Sequence, residues 1–283
     1  MSNKTIGEAI LEAHTLYKKD GVSAQDLRFL VMVNEGFREP IDVLFAKDQV
    51  MKHYPLFIEQ AKRLSLGEPV EYIVGSARFL GHNLIVNSNV LIPRGETEEL
   101  VALVTENISD YFDARNYLVV ADIGTGSGAI PIALHDAFPN WLLLASDISS
   151  SALDVAKKNF QKEGVNVTTF CGDALKPYIE NKINLDIIIS NPPYILDKND
   201  AQESVRDYEP GSALWLDKNN SVYESIFRDY KKVKKGELLM AFEISPDLEE
   251  WLTSLMEKYL TDYNYQFFKD LNGDVRFLLV HLK

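Results

Sequence analysis

Nine residues, Asp186-Ile187-Ile188-Ile189-Ser190-Asn191-Pro192-Pro193-Tyr194, constrain this chain more than any other stretch. Three consecutive isoleucines read as a strand buried on both faces. The strand stops at Asn191, because neither following proline has an N–H and both hold φ at about −65°. A residue ahead of a proline is pushed into extended geometry, so Asn191 and Pro192 are both stiffened. The result is an Asn carboxamide, free carbonyls and a Tyr ring fixed at a strand's C-terminal end, where open α/β sheets bind ligands. Such a cluster can hold a planar amide or amino group by hydrogen bonds and cover it with a ring.

The rest of the chain supplies the sheet that this strand needs. From Tyr117 onward, strands are predicted over 117–123, 141–147, 167–171, 185–190, 237–244, 265–269 and 276–281. Helices are predicted between them over 129–137, 151–163, 222–233 and 247–259. This alternation is that of an α/β fold with a mostly parallel, doubly wound sheet covered on both faces. The last two strands meet through Asn272-Gly273, which predicts a hairpin and one antiparallel strand.

Residues 5–67 read instead as short helices. Ser23-Ala24-Gln25-Asp26 resembles a capping box with Asp in place of Glu or Gln. Pro40 suits a first helical turn, and Gly67 suits the stop of a helix over 55–66. Tyr72-Ile73-Val74-Gly75 and Asn83-Leu84-Ile85-Val86 are predicted as the strands of a hairpin-like connector. The expected division is a helical domain over 1–68, a connector over 69–90 and the sheet domain over 91–283. The helical domain is read as a recognition module, with a purely stabilising role an equal reading of the residues.

Composition narrows the function. The longest apolar runs are far short of the roughly 20 residues that a membrane span needs. The N-terminal segment lacks the apolar core of a signal peptide. The single cysteine, Cys171, excludes an internal disulfide framework, fits a reducing cytosol and is expected in the core. A cytoplasmic protein without a membrane partner is therefore expected. The net charge is −13, and residues 1–75 hold 9 Lys/Arg against 11 Asp/Glu. Phosphate neutralisation dominates nucleic-acid affinity, so this balance argues against DNA or RNA as substrate. The one basic cluster, Lys231-Lys232-Val233-Lys234-Lys235, reads as a solvated helix end. Five scattered histidines have no ligand spacing, so no metal site is expected.

A second motif follows the strand at Asp122-Ile123, where Gly124-Thr125-Gly126-Ser127-Gly128 leads directly into a helix. Glycines let the backbone turn sharply and approach a ligand, and the helix start offers free N–H groups. The G-x-G-x-G spacing misses both the dinucleotide and the phosphate-loop patterns. Asp122 would repel a pyrophosphate but suits a cationic ligand. Asp147, at the end of the next strand, can accept both hydroxyls of a ribose. After the third strand, Asp173, followed by Ala174, can accept from an adenine amino group. Each aspartate alone reads as a helix cap. At successive strand ends of one sheet they make a nucleoside site, and the ligand that fits is S-adenosyl-L-methionine, a nucleoside with a sulfonium, an amino acid and no phosphate. Ahead of the sheet, Leu91–Glu98 leads into a further helix, which Glu96 or Thr97 would cap. Arg94 and Glu98 stand at its start, either facing a cleft or forming an ordinary cap and ion pair.

Together these motifs resemble the class I S-adenosylmethionine-dependent methyltransferases, and within them the release factor glutamine methyltransferases (the PrmC/HemK family). The resemblance rests on the segments 122–130, 190–195, 91–98 and 270–276 and on the layout of nearly the whole chain. The Asn191-Pro192-Pro193-Tyr194 motif alone is shared with adenine-N6 DNA methyltransferases, so it defines chemistry more than substrate. Gly95 stands where the family usually has proline, Ala174 where some members have an aromatic, and Glu243-Ile244-Ser245 replaces a common Glu-His-Gly-like strand end.

The resemblance implies that Asp122, Gly124, Thr125, Gly126, Ser127, Gly128, Asp147, Asp173, Ala174 and Asn191 hold the cofactor. It implies that Asn191, Pro192 and Tyr194 serve the transfer, with Pro193, Arg94 and Glu98 on the substrate side. The implied partners are class 1 peptide chain release factors, methylated at N5 of the glutamine in their Gly-Gly-Gln motif. The alternative is an adenine-N6 methyltransferase acting on DNA or RNA, with the base flipped into the same acceptor. That reading expects a basic cleft.

Overall fold

The computed structural model describes residues 4–18, 21–112 and 117–283, so the first three residues read above for a signal peptide lie outside the described residues. These residues form two compact units. One runs to Ser76 and includes Gln202–Tyr208; the other comprises Ala77–Ala201 and Glu209–Lys283. No described helix is long and apolar enough to cross a membrane.

In the first unit, α1 (Ile6–Tyr17) opens with a capping box between Thr5 and Glu8. The Ser23 hydroxyl caps α2 (Ala24–Glu35) by accepting from the Asp26 N–H at 3.0 Å. Asp26 is too short to return the bond to the backbone and accepts from the Ser23 hydroxyl instead. Pro40 begins α3 (Pro40–Phe45), as its fixed φ allows. With α4 (Tyr54–Ser65), these helices enclose Ile6, Leu27, Leu30, Val31 and Phe57.

The strand expected over 72–75 is instead a helix, α5 (Val70–Val74). Pro69 stands at its N-cap, Gly75 closes it at φ 73°, and Ile73 is buried in the helical core. Tertiary burial overrides the β preference of Val and Ile here. The hairpin is formed by β1 (Ser76–Phe79) and β2 (His82–Ile85). Its central residues, Leu80 and Gly81, both have positive φ, which matches a tight turn to the strand twist.

The second unit continues with α6 (Gly95–Tyr111) and the alternating series β3 (Val119–Ile123), α7 (Ala129–Ala137), β4 (Leu142–Asp147), α8 (Ser150–Glu163) and β5 (Val167–Cys171). After α9 (Lys176–Glu180) comes β6 (Ile187–Ser190), the isoleucine strand. The loop segment then carries α10 (Glu203–Tyr208), which belongs to the first unit, and α11 (Gly211–Leu214). The chain ends with α12 (Val222–Asp229), β7 (Leu238–Glu243), α13 (Glu249–Tyr259), β8 (Tyr263–Lys269) and β9 (Val275–Leu282).

The seven strands lie in the order β5-β4-β3-β6-β7-β9-β8. All neighbours are parallel except that β9 runs antiparallel to β7 and β8. Residues alternate between two cores, as the period of a strand dictates. Ile187, Ile189, Leu143 and Leu239 face one core with α6, α7 and α8; Ile188, Leu144, Leu238 and Met240 face the other with α12 and α13. That double burial is why β6 is a continuous apolar run.

Cys171 corrects an expectation. It ends the edge strand β5 and is exposed rather than in the core, with its thiol donating to the Ile148 carbonyl at 3.8 Å.

The order of strands places the site. From β3 the chain winds outward through β4 and β5, then returns to lay β6 on the other side of β3. Asp122 is registered against Ile189, so the glycine loop and Asn191 emerge side by side at the point where the winding reverses. The Ser190 hydroxyl donates to the Ile123 carbonyl at 2.6 Å and ties the two strand ends together. Ligands bind at such switch points.

Candidate active site

A single cleft at these strand ends is lined by residues from both motifs. Its first half is the glycine loop. Gly124 and Thr125 donate their N–H groups to the Ser146 carbonyl at 2.8 and 2.9 Å, which folds the loop back over β4. Asn159 on α8, fully buried, donates to the Ser127 carbonyl at 2.8 Å and exchanges two bonds with Ile85 of β2. The loop is thus held from behind by a side chain, leaving its front face to the cleft. At Gly124 and Gly126, φ is positive and an added Cβ would meet nothing within 4 Å; both therefore border open space.

Asp147 closes the turn: its Oδ2 accepts from Gly126 N–H at 3.0 Å and its Oδ1 from Ser149 N–H at 2.8 Å. Burial raises its pKa against those bonds. Asp173 also lines the cleft but carries an ion pair with Lys176 at 2.7 Å. Ala174 beside it is buried with φ 47°, a left-handed conformation that costs an alanine free energy.

Asp122 stands behind the loop, 1% exposed, and neither of its carboxylate oxygens has a hydrogen-bond partner among the described residues. The Thr125 hydroxyl nearby makes no well-formed hydrogen bond, yet it lies close enough to favour the charged carboxyl and partly offset its burial. Burial pushes the Asp122 carboxyl up to about 7, and the Asp147 charge adds to the rise. A buried carboxylate without a partner is costly, and a cation brought into the cleft would relieve it. The residues therefore fit a cationic nucleoside: carboxylates at three strand ends, open glycines and, among the described residues lining the cleft, no Lys or Arg.

The second half is the acceptor motif. Asn191, Pro192 and Pro193 line the cleft with Thr97 of α6. Asn191 Nδ2 donates to Thr97 Oγ1 at 2.9 Å, and Thr97 Oγ1 donates to Glu243 Oε2 at 2.7 Å. The other carboxylate oxygen, Oε1, accepts from the Tyr194 hydroxyl at 3.2 Å. Tyr223 donates to the Glu243 carbonyl at 2.7 Å. Glu243 is fully buried, and that burial pushes its carboxyl up to about 7.

Three expected side chains are placed differently. Tyr194 does not line the cleft; its hydroxyl is drawn down to Glu243, its ring packs against the core beneath, and that burial raises its pKa. Arg94 forms an ion pair with the buried carboxylate of Glu209, which also accepts from Ile92 N–H at 3.1 Å. Glu98 accepts from the Leu80 N–H at 2.8 Å and so holds the hairpin turn. Neither charged residue lines the cleft, because each has a protein partner on the scaffold side. Thr97 does not cap its helix either; Arg94 takes the N-cap, without a side-chain bond. The sequence alone does not place Thr97 and Glu243 beside Asn191. The available signal was a lone carboxylate ending the apolar strand Leu238–Phe242, next to β6 in the sheet.

The sheet order and the paired glycine-loop and acceptor motifs define a class I methyltransferase. Residues 102–219 match the methyltransferase small domain family. The chain is 34% identical over 293 residues to the release factor glutamine methyltransferase of Bacillus subtilis, covering 98% of this chain and 99% of that one. It is 40% identical over 218 residues to the enzyme of the same name from Staphylococcus aureus, 76% of each chain. Among solved structures, the catalytic domain of hMettl16 in complex with MAT2A 3'UTR hairpin 6 shares the fold. Its TM-score is 0.52 at 16% identity, over 80% of this chain and 81% of that one. The chain belongs to the release factor glutamine methyltransferase family.

Proposed function

We propose that the protein methylates N5 of the glutamine in the Gly-Gly-Gln motif of class 1 peptide chain release factors, using S-adenosylmethionine in the cytoplasm. The products would be N5-methylglutamine and S-adenosylhomocysteine. One observation carries the reading: Asn191 and the stiffened Pro192 border the same cleft as the glycine loop, Asp147 and Asp173, with the buried carboxyl of Asp122 behind that loop. The relatives, each named a release factor glutamine methyltransferase, supply the acceptor.

Asp147 would accept the ribose hydroxyls, Asp173 and the Ala174 segment would border the adenine, and Asp122 would face the cationic amino-acid end through the glycine loop. Bound there, S-adenosylmethionine supplies an electrophilic methyl on a sulfonium. An amide nitrogen is a poor nucleophile, because its lone pair is delocalised into the carbonyl. Asn191 Oδ1 and the Pro192 carbonyl would accept its two hydrogens and hold its electron density toward the methyl. Positioning of this kind is worth up to about 7–11 kcal/mol of barrier at best. The bonds strengthen as the nitrogen turns tetrahedral, so they favour the transition state over the ground state. In the transfer the N–C bond would form as the S–C bond breaks, the electron pair staying on the sulfur of S-adenosylhomocysteine, and the nitrogen would pass one proton to water afterwards. No general base is required.

Incubation with labelled S-adenosylmethionine and either release factor or DNA tests the reading. Label in the glutamine supports it; label confined to DNA rejects it for the adenine-N6 alternative. Asn191→Ala should abolish methylation and leave cofactor affinity within about twofold, since only the acceptor half is altered. Near wild-type turnover by that variant would remove Asn191 from the acceptor site.

A further inference from the structure

One carboxylate holds both ends of the acceptor tetrapeptide. Glu243 Oε1 takes the Tyr194 hydroxyl directly, and Oε2 takes Asn191 through Thr97. The polarity of that chain matters. The Thr97 hydroxyl has one hydrogen and spends it on Glu243, so toward Asn191 it can only accept. The Asn191 carboxamide must then turn its NH2 to Thr97, which leaves Oδ1 for the cleft. A carboxamide turned the other way would offer two donors to a substrate NH2 that also has only donors to give.

We propose that Glu243 is a positioning residue for methyl transfer: its carboxylate, acting through Thr97, orients the Asn191 carboxamide so that oxygen faces the acceptor amide. The proposal rests on the acceptor role of Asn191 argued above and names what sets that role. A protonated Glu243 can donate one bond instead of accepting two, which frees the Thr97 hydroxyl to turn toward Asn191 and inverts the chain.

The groups facing Glu243 are few. Glu96 of α6 raises its pKa and Arg276 of β9 lowers it, while Thr97 and the Tyr194 hydroxyl donate to the charged form. Tyr223 of α12 spends its hydroxyl hydrogen on the Glu243 backbone carbonyl, and the Glu243 charge adds to the rise in its own pKa. Arg276 is itself turned to Asp270 and the Ile244 carbonyl, at 3.4 Å each. No cation within hydrogen-bond reach locks Glu243 as a carboxylate among the described residues, and burial sets its ionisation near neutrality. Ionisation of Glu243 thereby becomes a condition for a correctly turned Asn191.

The test uses Glu243→Gln, Thr97→Val and Thr97→Ser in the full chain. A glutamine keeps the shape but has one acceptor oxygen for two donors, so E243Q should lower kcat about ten- to hundredfold. The KM for S-adenosylmethionine should stay within about twofold, since the cofactor half is untouched. The wild type should lose kcat as pH falls through neutrality, and E243Q should lose that acidic limb. T97V should behave like E243Q, whereas T97S, which keeps the hydroxyl, should recover most of the loss and the acidic limb. A readout without turnover is the side-chain amide NMR signal of Asn191, assigned by its disappearance in N191A. It should shift with pH through neutrality in the wild type and be flat in E243Q.

If E243Q and T97V keep wild-type kcat and pH profile while N191A is inactive, the orienting chain is wrong and the acceptor reading survives. If N191A is active, the acceptor reading fails, and the NMR titration still decides whether Glu243 controls the Asn191 amide. Should E243Q fail to melt cooperatively, T97V against T97S and the wild-type titration decide alone; equal kcat in those two variants would overturn the proposal.

Discussion

At the scale of single residues, the site is built around carboxylates that the fold holds away from water. Asp122 is the clearest, with a folded pKa of about 7 against an ordinary 3.8. A raised folded pKa means that the unfolded chain gives up its proton first. The contribution of Asp122 is fully favourable below about pH 4 and is lost as pH rises to about 7, at up to about 1.4 kcal/mol per pH unit. The cofactor-free protein should therefore melt at lower temperature at pH 8 than at pH 6, and Asp122→Asn should flatten that slope. Glu243 has the same sign and leaves a residual dependence. A cationic ligand reverses the preference, because it favours the carboxylate. Binding of S-adenosylmethionine should strengthen up to about pH 7 and release a proton; calorimetry in two buffers of different ionisation enthalpy reads this directly, and D122N should release none. Asp147→Ala removes the acceptor for Gly126 and Ser149 and should weaken cofactor binding about ten- to hundredfold, since hydrogen bonds to a charged group are worth about 1.5–3 kcal/mol. Unchanged affinity by calorimetry would take Asp147 out of the ribose site.

At the scale of elements, the glycine loop separates two duties that look alike in sequence. Gly128 has φ 81°, and a Cβ there would stand 2.6 Å from Phe160 Cε1 and 2.8 Å from Cζ. Gly128→Ala should destabilise the fold by about 1–3 kcal/mol through overpacking of α8 against the loop, visible as a lower melting temperature. Gly126→Ala meets no atom but holds an alanine at φ 52°, a strain of about 1 kcal/mol. It should melt only slightly below wild type and above Gly128→Ala, while losing cofactor affinity because its methyl enters the cleft. Equal melting of the two variants would contradict this division. The loop and β6 were legible in the sequence because both signals are local: a buried strand is a continuous apolar run, and a sharp turn needs glycine. The helix α5 was not, since Val70, Ile73 and Val74 carry strand-like preference and only packing in the helical core decides their state. Nor was the Thr97–Glu243 bond, which joins positions 146 apart. Thr97 near a helix start reads as a cap, and Glu243 reads as one acidic residue after five apolar ones. Only the sheet order puts both beside Asn191.

At the scale of the whole molecule, every residue lining the cleft belongs to the unit formed by Ala77–Ala201 and Glu209–Lys283. On the proposed reading, cofactor binding and methyl transfer are therefore properties of that unit. The helical unit is not a simple N-terminal appendage, because it also takes in α10, where Tyr208 donates to the Leu66 carbonyl at 2.9 Å. Removing residues 1–76 would strip α10 of these neighbours, so truncation confounds recognition with folding. A surface substitution is cleaner. Helix α3 leaves Phe45 81% exposed, with Ile41 and Leu44 also exposed, an apolar face that no local core explains. A recognition role for this unit predicts that Phe45→Ser with Leu44→Ser lowers kcat/KM for intact release factor about tenfold, the cost of one interface anchor. Methylation of a short Gly-Gly-Gln peptide and affinity for S-adenosylhomocysteine should stay at wild-type values, because the cleft lies wholly in the other unit. Parallel losses with peptide and protein would mean that the helical unit stabilises rather than recognises, and equal wild-type rates would exclude this face as a release-factor contact.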